Sequence, residues 1–138
     1  MERKDFLKKS LALCGLSMIP AAIIESCSKQ SYAGPGNVNF TLDLTSSANA
    51  ALNSVGGYIL NSSGVIVIRT GASTYVALST ICTHQGCTVN YNKAGAQLVC
   101  PCHGGVYDTA GNVVSGPPPS PLTKYTITRS GNILTIKS

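Results

Sequence analysis

Two short segments that pair cysteine with histidine constrain this chain more than anything else in it. Cys82-Thr83-His84-Gln85-Gly86-Cys87 is followed, after a spacer, by Cys100-Pro101-Cys102-His103-Gly104-Gly105-Val106-Tyr107. His84 and His103 are the only histidines in the 138 residues. Cysteine and histidine at such tight spacing point to metal or redox chemistry. Cys82, His84, Cys100 and His103 form a set of two thiolates and two imidazoles. Four such ligands would suit tetrahedral zinc. A Cys-x-His pair, however, is shorter than the usual zinc-finger spacing and crowds both side chains onto one side of a turn. A two-iron cluster relieves the crowding by giving the cysteines one iron and the histidines the other. Zinc in a structural module and an iron-sulfur cluster therefore compete.

The double motif resembles that of the Rieske [2Fe-2S] proteins. The resemblance is to the disulfide-containing branch, found in cytochrome bc-type complexes and arsenite oxidase small subunits. It is close over residues 82–107 and looser to the C-terminus. It implies one [2Fe-2S] cluster, with Cys82 and Cys100 on one iron, His84 and His103 on the other, and a disulfide between Cys87 and Cys102. Tyr107 stands where the family places a tyrosine that hydrogen-bonds a ligand cysteine sulfur. Gly105 stands where high-potential members carry a serine whose hydroxyl bonds a bridging sulfide. The resemblance thus implies one tuning hydrogen bond kept, one absent, and a lower potential than in the serine-bearing members. Gly116-Pro117-Pro118-Pro119-Ser120-Pro121 resembles the proline loop that closes over the cluster in this family. Taken alone, the run would also suit polyproline recognition.

Residues 1–27 read as an export signal or lipoprotein leader. Arg3, Lys4, Lys8 and Lys9 precede an apolar stretch from Leu11 to Ile24 that is broken by Pro20. That stretch is shorter than the ~20 residues a spanning helix needs and suits a signal's apolar region. Arg3-Lys4-Asp5-Phe6-Leu7-Lys8 resembles a twin-arginine export motif, with an ordinary secretory signal as the alternative. Ile24-Glu25-Ser26-Cys27 loosely resembles a lipoprotein processing box, which makes Cys27 a candidate for lipidation. An uncleaved N-terminal anchor is the competing reading. Residues 28–37, with two glycines and a proline that oppose regular structure, are expected to be a flexible tether in which nothing packs.

From residue 38 to 138 the signals are strand and turn, and the fold class expected is all-β. Val38 to Leu44 alternates, with Val38, Phe40, Leu42 and Leu44 on one face. Ala48 to Leu52 suits a short helical turn. Tyr58–Leu60 and Val65–Arg69 read as a hairpin, followed by a strand from Thr74 to Ser79. Thr88–Tyr91 with Gln97–Cys100, Val106–Asp108 with Asn112–Val114, and Leu122–Arg129 with Asn132–Lys137 read as three further hairpins. The strands alone fit any small sandwich or barrel. The resemblance makes this a Rieske-type fold of small stacked antiparallel sheets, with a cluster-binding subdomain, about residues 80–121, inserted between strands of a base.

Outside the leader there are six basic residues and two acidic ones, hence a net charge of +4. The cations are dispersed, and no basic helix or aromatic-basic alternation suggests nucleic acid. Nothing offers a nucleophile with a base, so no catalytic residue is assigned. The expected function is one-electron transfer through the cluster, by an exported carrier or by an electron-transfer subunit of a membrane-associated redox complex. Expected partners are a cytochrome or another oxidoreductase subunit, with quinol reached through a complex. The expected location is the periplasmic side of a bacterial envelope, held to the membrane by an N-terminal anchor or lipid. An oxygenase-type Rieske ferredoxin is the main alternative. That class generally lacks the two disulfide cysteines.

Overall fold

The structure, a computed structural model, describes residues 32–138. The expected leader, Cys27 and residues 28–31 of the expected tether lie outside the described residues. Ten strands are found among the described residues: β1 (Asn39–Asp43), β2 (Tyr58–Asn61), β3 (Val65–Arg69), β4 (Tyr75–Ser79), β5 (Asn90–Asn92), β6 (Gln97–Val99), β7 (Val106–Asp108), β8 (Val113–Ser115), β9 (Lys124–Ser130) and β10 (Ile133–Lys137). A short 3-10 helix, Ser47–Asn53, follows β1, and the Ser46 side chain caps it by accepting from the Ala48 N–H.

The base is a six-stranded sheet in the order β1-β10-β9-β4-β3-β2. β9 joins its two halves. Residues from Thr126 onward pair with β10, whereas Lys124 and Tyr125 pair with Leu78 and Ala77 of β4. The remaining strands form a separate four-stranded sheet, β5-β6-β7-β8. In sequence this sheet lies wholly between β4 and β9, which are bonded neighbours in the base. The inserted subdomain is therefore visible in the connectivity itself.

β3 shows how the insertion is supported. Val65-Ile66-Val67-Ile68 is apolar at four successive positions, and a strand with one wet face would alternate instead. All four residues are buried. Val65 and Val67 join the base core with Leu52, Ala77, Tyr125, Leu134 and Ile136. Ile66 and Ile68 join a second core with Leu78, Leu98, Leu122, Tyr107 and the two cysteines Cys82 and Cys100. The β3–β4 pair is thus a wall shared by two cores. Each fully buried aliphatic side chain contributes about 1.5–3 kcal/mol, so this wall is strongly held.

The expected hairpins form, with two differences. Thr88 pairs with Ile81 rather than extending β5, and Val89 N–H bonds the Thr80 carbonyl. This pairing closes the stem of the first cysteine loop. The two inner hairpins are also joined into one meander by β6–β7 pairing, because the second cysteine loop folds back on itself between those strands.

Residues 32–35 of the expected tether are hydrogen-bonded to the domain. Tyr32 N–H bonds the Thr83 carbonyl (3.2 Å), Gly34 N–H bonds Thr123 Oγ1 (3.0 Å), and the Tyr125 hydroxyl bonds the Pro35 carbonyl (2.8 Å). The expectation that nothing packs here is therefore corrected for residues 32–35. Glycine and proline disfavour regular structure, but these backbone groups find partners on the domain instead.

Candidate metal centre

The two motif segments fold into loops with one backbone design. In each, the first cysteine's N–H bonds a carbonyl five residues on: Cys82 to Cys87 and Cys100 to Gly105, both at 2.7 Å. The residue four positions on bonds back to that cysteine's carbonyl: Gly86 to Cys82 and Gly104 to Cys100, both at 3.0 Å. Gly86 (φ 75°) and Gly104 (φ 72°) lie in the left-handed region that glycine adopts without strain. By this register Cys100 answers Cys82 and Gly105 answers Cys87. His84 stands two positions after its cysteine, whereas His103 stands three after.

The loops bring the two proposed histidine donors against each other and bury the two proposed cysteine donors in one core. Cys82 and Cys100 are buried and unbridged, and both belong to the core beneath the two loops. The His84 and His103 rings meet edge to face, with centroids 4.7 Å apart. Their surroundings differ, since His103 is exposed and His84 half-buried. His84 Nδ1 is enclosed and has no hydrogen-bond partner. An orphaned buried polar atom costs about 1–3 kcal/mol. Coordination to a metal would satisfy this nitrogen. Two enclosed thiols, an enclosed ring nitrogen without a hydrogen-bond partner and a second ring beside it fit a centre with mixed sulfur and nitrogen ligation.

Cys87 and Cys102 form the disulfide between the loops, with Cα atoms 6.5 Å apart. The Cys100 sulfur lies within 4.8 Å of both bridge sulfurs. Those two are bonded to each other and offer no thiolate, so this sulfur trio is not a metal site.

The two candidate donor thiols differ electrostatically. Burial pushes the Cys82 thiol up, but hydrogen bonds from Tyr107, the His84 and Gln85 backbone and Cys100 outweigh it, and its pKa is lowered. Cys100 is raised, first by burial. Tyr107 is raised by its own burial and then by Cys82. The Tyr107 hydroxyl lies 3.4 Å from Cys82 Sγ and 3.1 Å from Thr83 Oγ1, and it accepts the Thr83 N–H at 3.1 Å. Thr83 Oγ1 in turn donates to the Ser120 carbonyl at 2.7 Å. Thr83 was not singled out by sequence reasoning. Its signal was its place inside Cys-x-His, where a buried hydroxyl must find partners.

The proline run lies against the second loop. Gly116, Pro117 and Pro119 are exposed, while Pro118 is buried. A β-carbon built on Gly105 would lie 2.6 Å from Pro118 Cγ and 3.0 Å from its Cδ. One built on Gly116 would lie 2.8 Å from the Gly105 Cα. The space beside Gly105 is filled, so a serine there is more than an added donor. Tyr32, another residue the sequence left unmarked, lays its ring over Gly86 in the first loop, 3.0 Å from where a β-carbon would stand.

Residues 44–126 match the Rieske [2Fe-2S] domain. The chain belongs to the Rieske [2Fe-2S] family. Its cofactor is one [2Fe-2S] cluster, and the donor set and the orphaned His84 nitrogen fit that group. Among relatives of this Rieske chain, the cytochrome b6-f complex iron-sulfur subunit of Chlorobaculum tepidum is 44% identical over 70 residues. The match covers 51% of this chain and 38% of that subunit. The Rieske chain thus spans well under half of that relative's length. Among solved structures, the cyanobacterial plasma membrane Rieske protein PetC3 from Synechocystis PCC 6803 is 37% identical with a TM-score of 0.56, covering 64% of this chain and 93% of that one. A chain of a hyperthermophilic respiratory Complex III shares the fold at 23% identity and a TM-score of 0.53, over 96% of this chain and 99% of the other. No helix among the described residues is long and apolar enough to cross a membrane.

Proposed function

We propose that this Rieske protein is an exported one-electron carrier or the electron-transfer subunit of a membrane-associated redox complex. The observation that carries this reading is the asymmetry of the two rings: His103 is exposed and meets the half-buried His84 at 4.7 Å, while both donor thiols are enclosed. When bound, a cluster with two imidazole ligands supplies a one-electron redox centre of higher potential than an all-cysteine cluster. Cys82 and Cys100 would hold one iron, and His84 and His103 the other. Tyr107 and Thr83 exclude water from the Cys82 side. The disulfide holds the two loops in register, and the proline loop shields the second of them. The exposed His103 edge would then be the point of contact with a partner.

The kinship with cytochrome complex subunits supports a cytochrome or related oxidoreductase as that partner, with quinol reached only through a complex. The leader supports export to the periplasmic face of the envelope, with membrane attachment through a lipid at Cys27 or an uncleaved anchor. A single acyl chain gives marginal binding and stable anchoring takes more than one, which bacterial lipoproteins supply. The Cys87–Cys102 bridge speaks against the oxygenase-type ferredoxin reading. The test is electron paramagnetic resonance of the dithionite-reduced protein, together with reversible one-electron voltammetry. A protein that stays silent in both, with iron loaded, would overturn the proposed function.

A further inference from the structure

We propose that Pro118 occupies the volume a side chain at position 105 would need, so that Gly105 and the proline loop are a fitted pair in this protein. The geometry is specific. Of the Pro118 ring, Cγ and Cδ are the atoms that a Gly105 β-carbon would strike, at 2.6 and 3.0 Å. Real β-carbons do not approach another heavy atom as closely as 2.6 Å, and a buried proline ring has little freedom to yield. The backbone beneath is equally close. Gly116 opens the loop at φ 94°, and any β-carbon there would meet the Gly105 Cα at 2.8 Å, the Gly104 carbonyl at 3.2 Å and the Gly105 nitrogen at 3.3 Å. Glycine at 105 and 116 thus lets two backbone segments touch, and Pro118 fills the gap left on the Gly105 side. Behind Gly105, its carbonyl accepts the Cys100 N–H at 2.7 Å. Force applied at position 105 therefore reaches a donor cysteine within one hydrogen bond. From the other flank, the Thr83 hydroxyl pins the loop through the Ser120 carbonyl. The loop is held at Ser120 and cannot simply swing away from a larger residue at 105.

The pairing makes a sign-specific statement about substitutions. Enlarging 105 alone should overpack the contact, and removing Pro118 Cγ and Cδ should relieve it. Pro118→Ala deletes those two atoms and leaves the β-carbon. The role claimed for Pro118 is positioning, and it rests on the cluster reading only for its consequence to the cofactor, since the fit itself is protein against protein.

The experiment is a double-variant cycle on the full chain: wild type, Gly105→Ala, Pro118→Ala and the two together. Bleaching of the visible chromophore and the thermal midpoint by circular dichroism are both read. Gly105→Ala should bleach about tenfold faster than wild type, the range for overpacking a filled site. The double variant should return to within about twofold of Pro118→Ala. Gly105→Ala that fails to fold while the double variant folds supports the pairing equally. Additive effects, a double variant as unstable as Gly105→Ala, or a Gly105→Ala indistinguishable from wild type would overturn it. The thermal midpoint reads the same cycle in a colourless protein. A missing cofactor would therefore refute the functional reading without being mistaken for failure of the fit.

Discussion

Tyr107 has one hydroxyl proton and two acceptors for it. Thr83 supplies its own N–H to the Tyr107 oxygen at 3.1 Å, and its hydroxyl proton goes to the Ser120 carbonyl, which can only accept, at 2.7 Å. The tyrosine proton is left between Cys82 Sγ at 3.4 Å and Thr83 Oγ1 at 3.1 Å. A donor aimed at a ligand sulfur stabilises the reduced centre, because reduction adds negative charge where the donor points. Tyr107→Phe removes it. A hydrogen bond to a charged group contributes about 1.5–3 kcal/mol. For one electron, ~59 mV corresponds to a tenfold change in equilibrium. The ceiling is therefore about 65–130 mV if the bond served the reduced state alone. The proton is shared, and the oxidised centre accepts it too, so we expect a fall of roughly 30–60 mV. Thr83→Val keeps the shape and the backbone N–H but deletes the competing acceptor, together with the donor to the Ser120 carbonyl. It should direct the tyrosine proton to Cys82 and raise the potential by a smaller amount. Protein-film voltammetry on wild type and both variants checks the pair of signs. A Tyr107→Phe potential equal to wild type would refute this reasoning, as would a Thr83→Val shift in the same direction as Tyr107→Phe.

The purified protein should contain two irons and two acid-labile sulfides per chain by metal and sulfide analysis. His84→Ala or His103→Ala should lose both, since no third histidine exists to substitute. One tightly held zinc in a colourless protein would contradict the assignment. Cys87→Ala opens a bridge of sequence separation 15, which the chain-entropy model values at about 3 kcal/mol. The cluster should bleach before the base sheet melts, and coincident loss in absorbance and circular dichroism would count against a local role for the bridge. If Cys27 carries lipid, Cys27→Ser should block processing and release the protein from membranes in fractionation. A mature N-terminus elsewhere, by mass spectrometry, would remove that proposal alone.

Much of the fold was legible because strand signals are local. Val38 to Leu44 alternates, and the structure buries Val38, Leu42 and Leu44 on one side. Turn residues marked the hairpins at Asn61–Gly64 and around Gly131. The continuous run Val65–Ile68 went unread as a strand buried on both faces, although its lack of alternation was the available signal. The expectation of a tether over residues 28–37 rests on a composition that disfavours regular structure. Composition carries no information about hydrogen bonds to Thr83, Thr123 and Tyr125, far along the chain.

The sequence by itself narrowed the candidate donor chemistry. Four candidate ligands of two kinds, at spacings short enough to share a turn, leave few metal centres to choose from, and the glycines at 86 and 104 are local demands of those turns. Only the tertiary structure decided which groups surround the donors. The Tyr107 hydroxyl reaches Cys82 and Thr83 across 25 and 24 residues, and Thr83 reaches Ser120 across 37. The sequence could mark Gly105 only as a missing serine. Folding puts Pro118 in that space, because contacts between loops follow from how the inserted sheet packs on the β3–β4 wall, and no spacing along the chain encodes that.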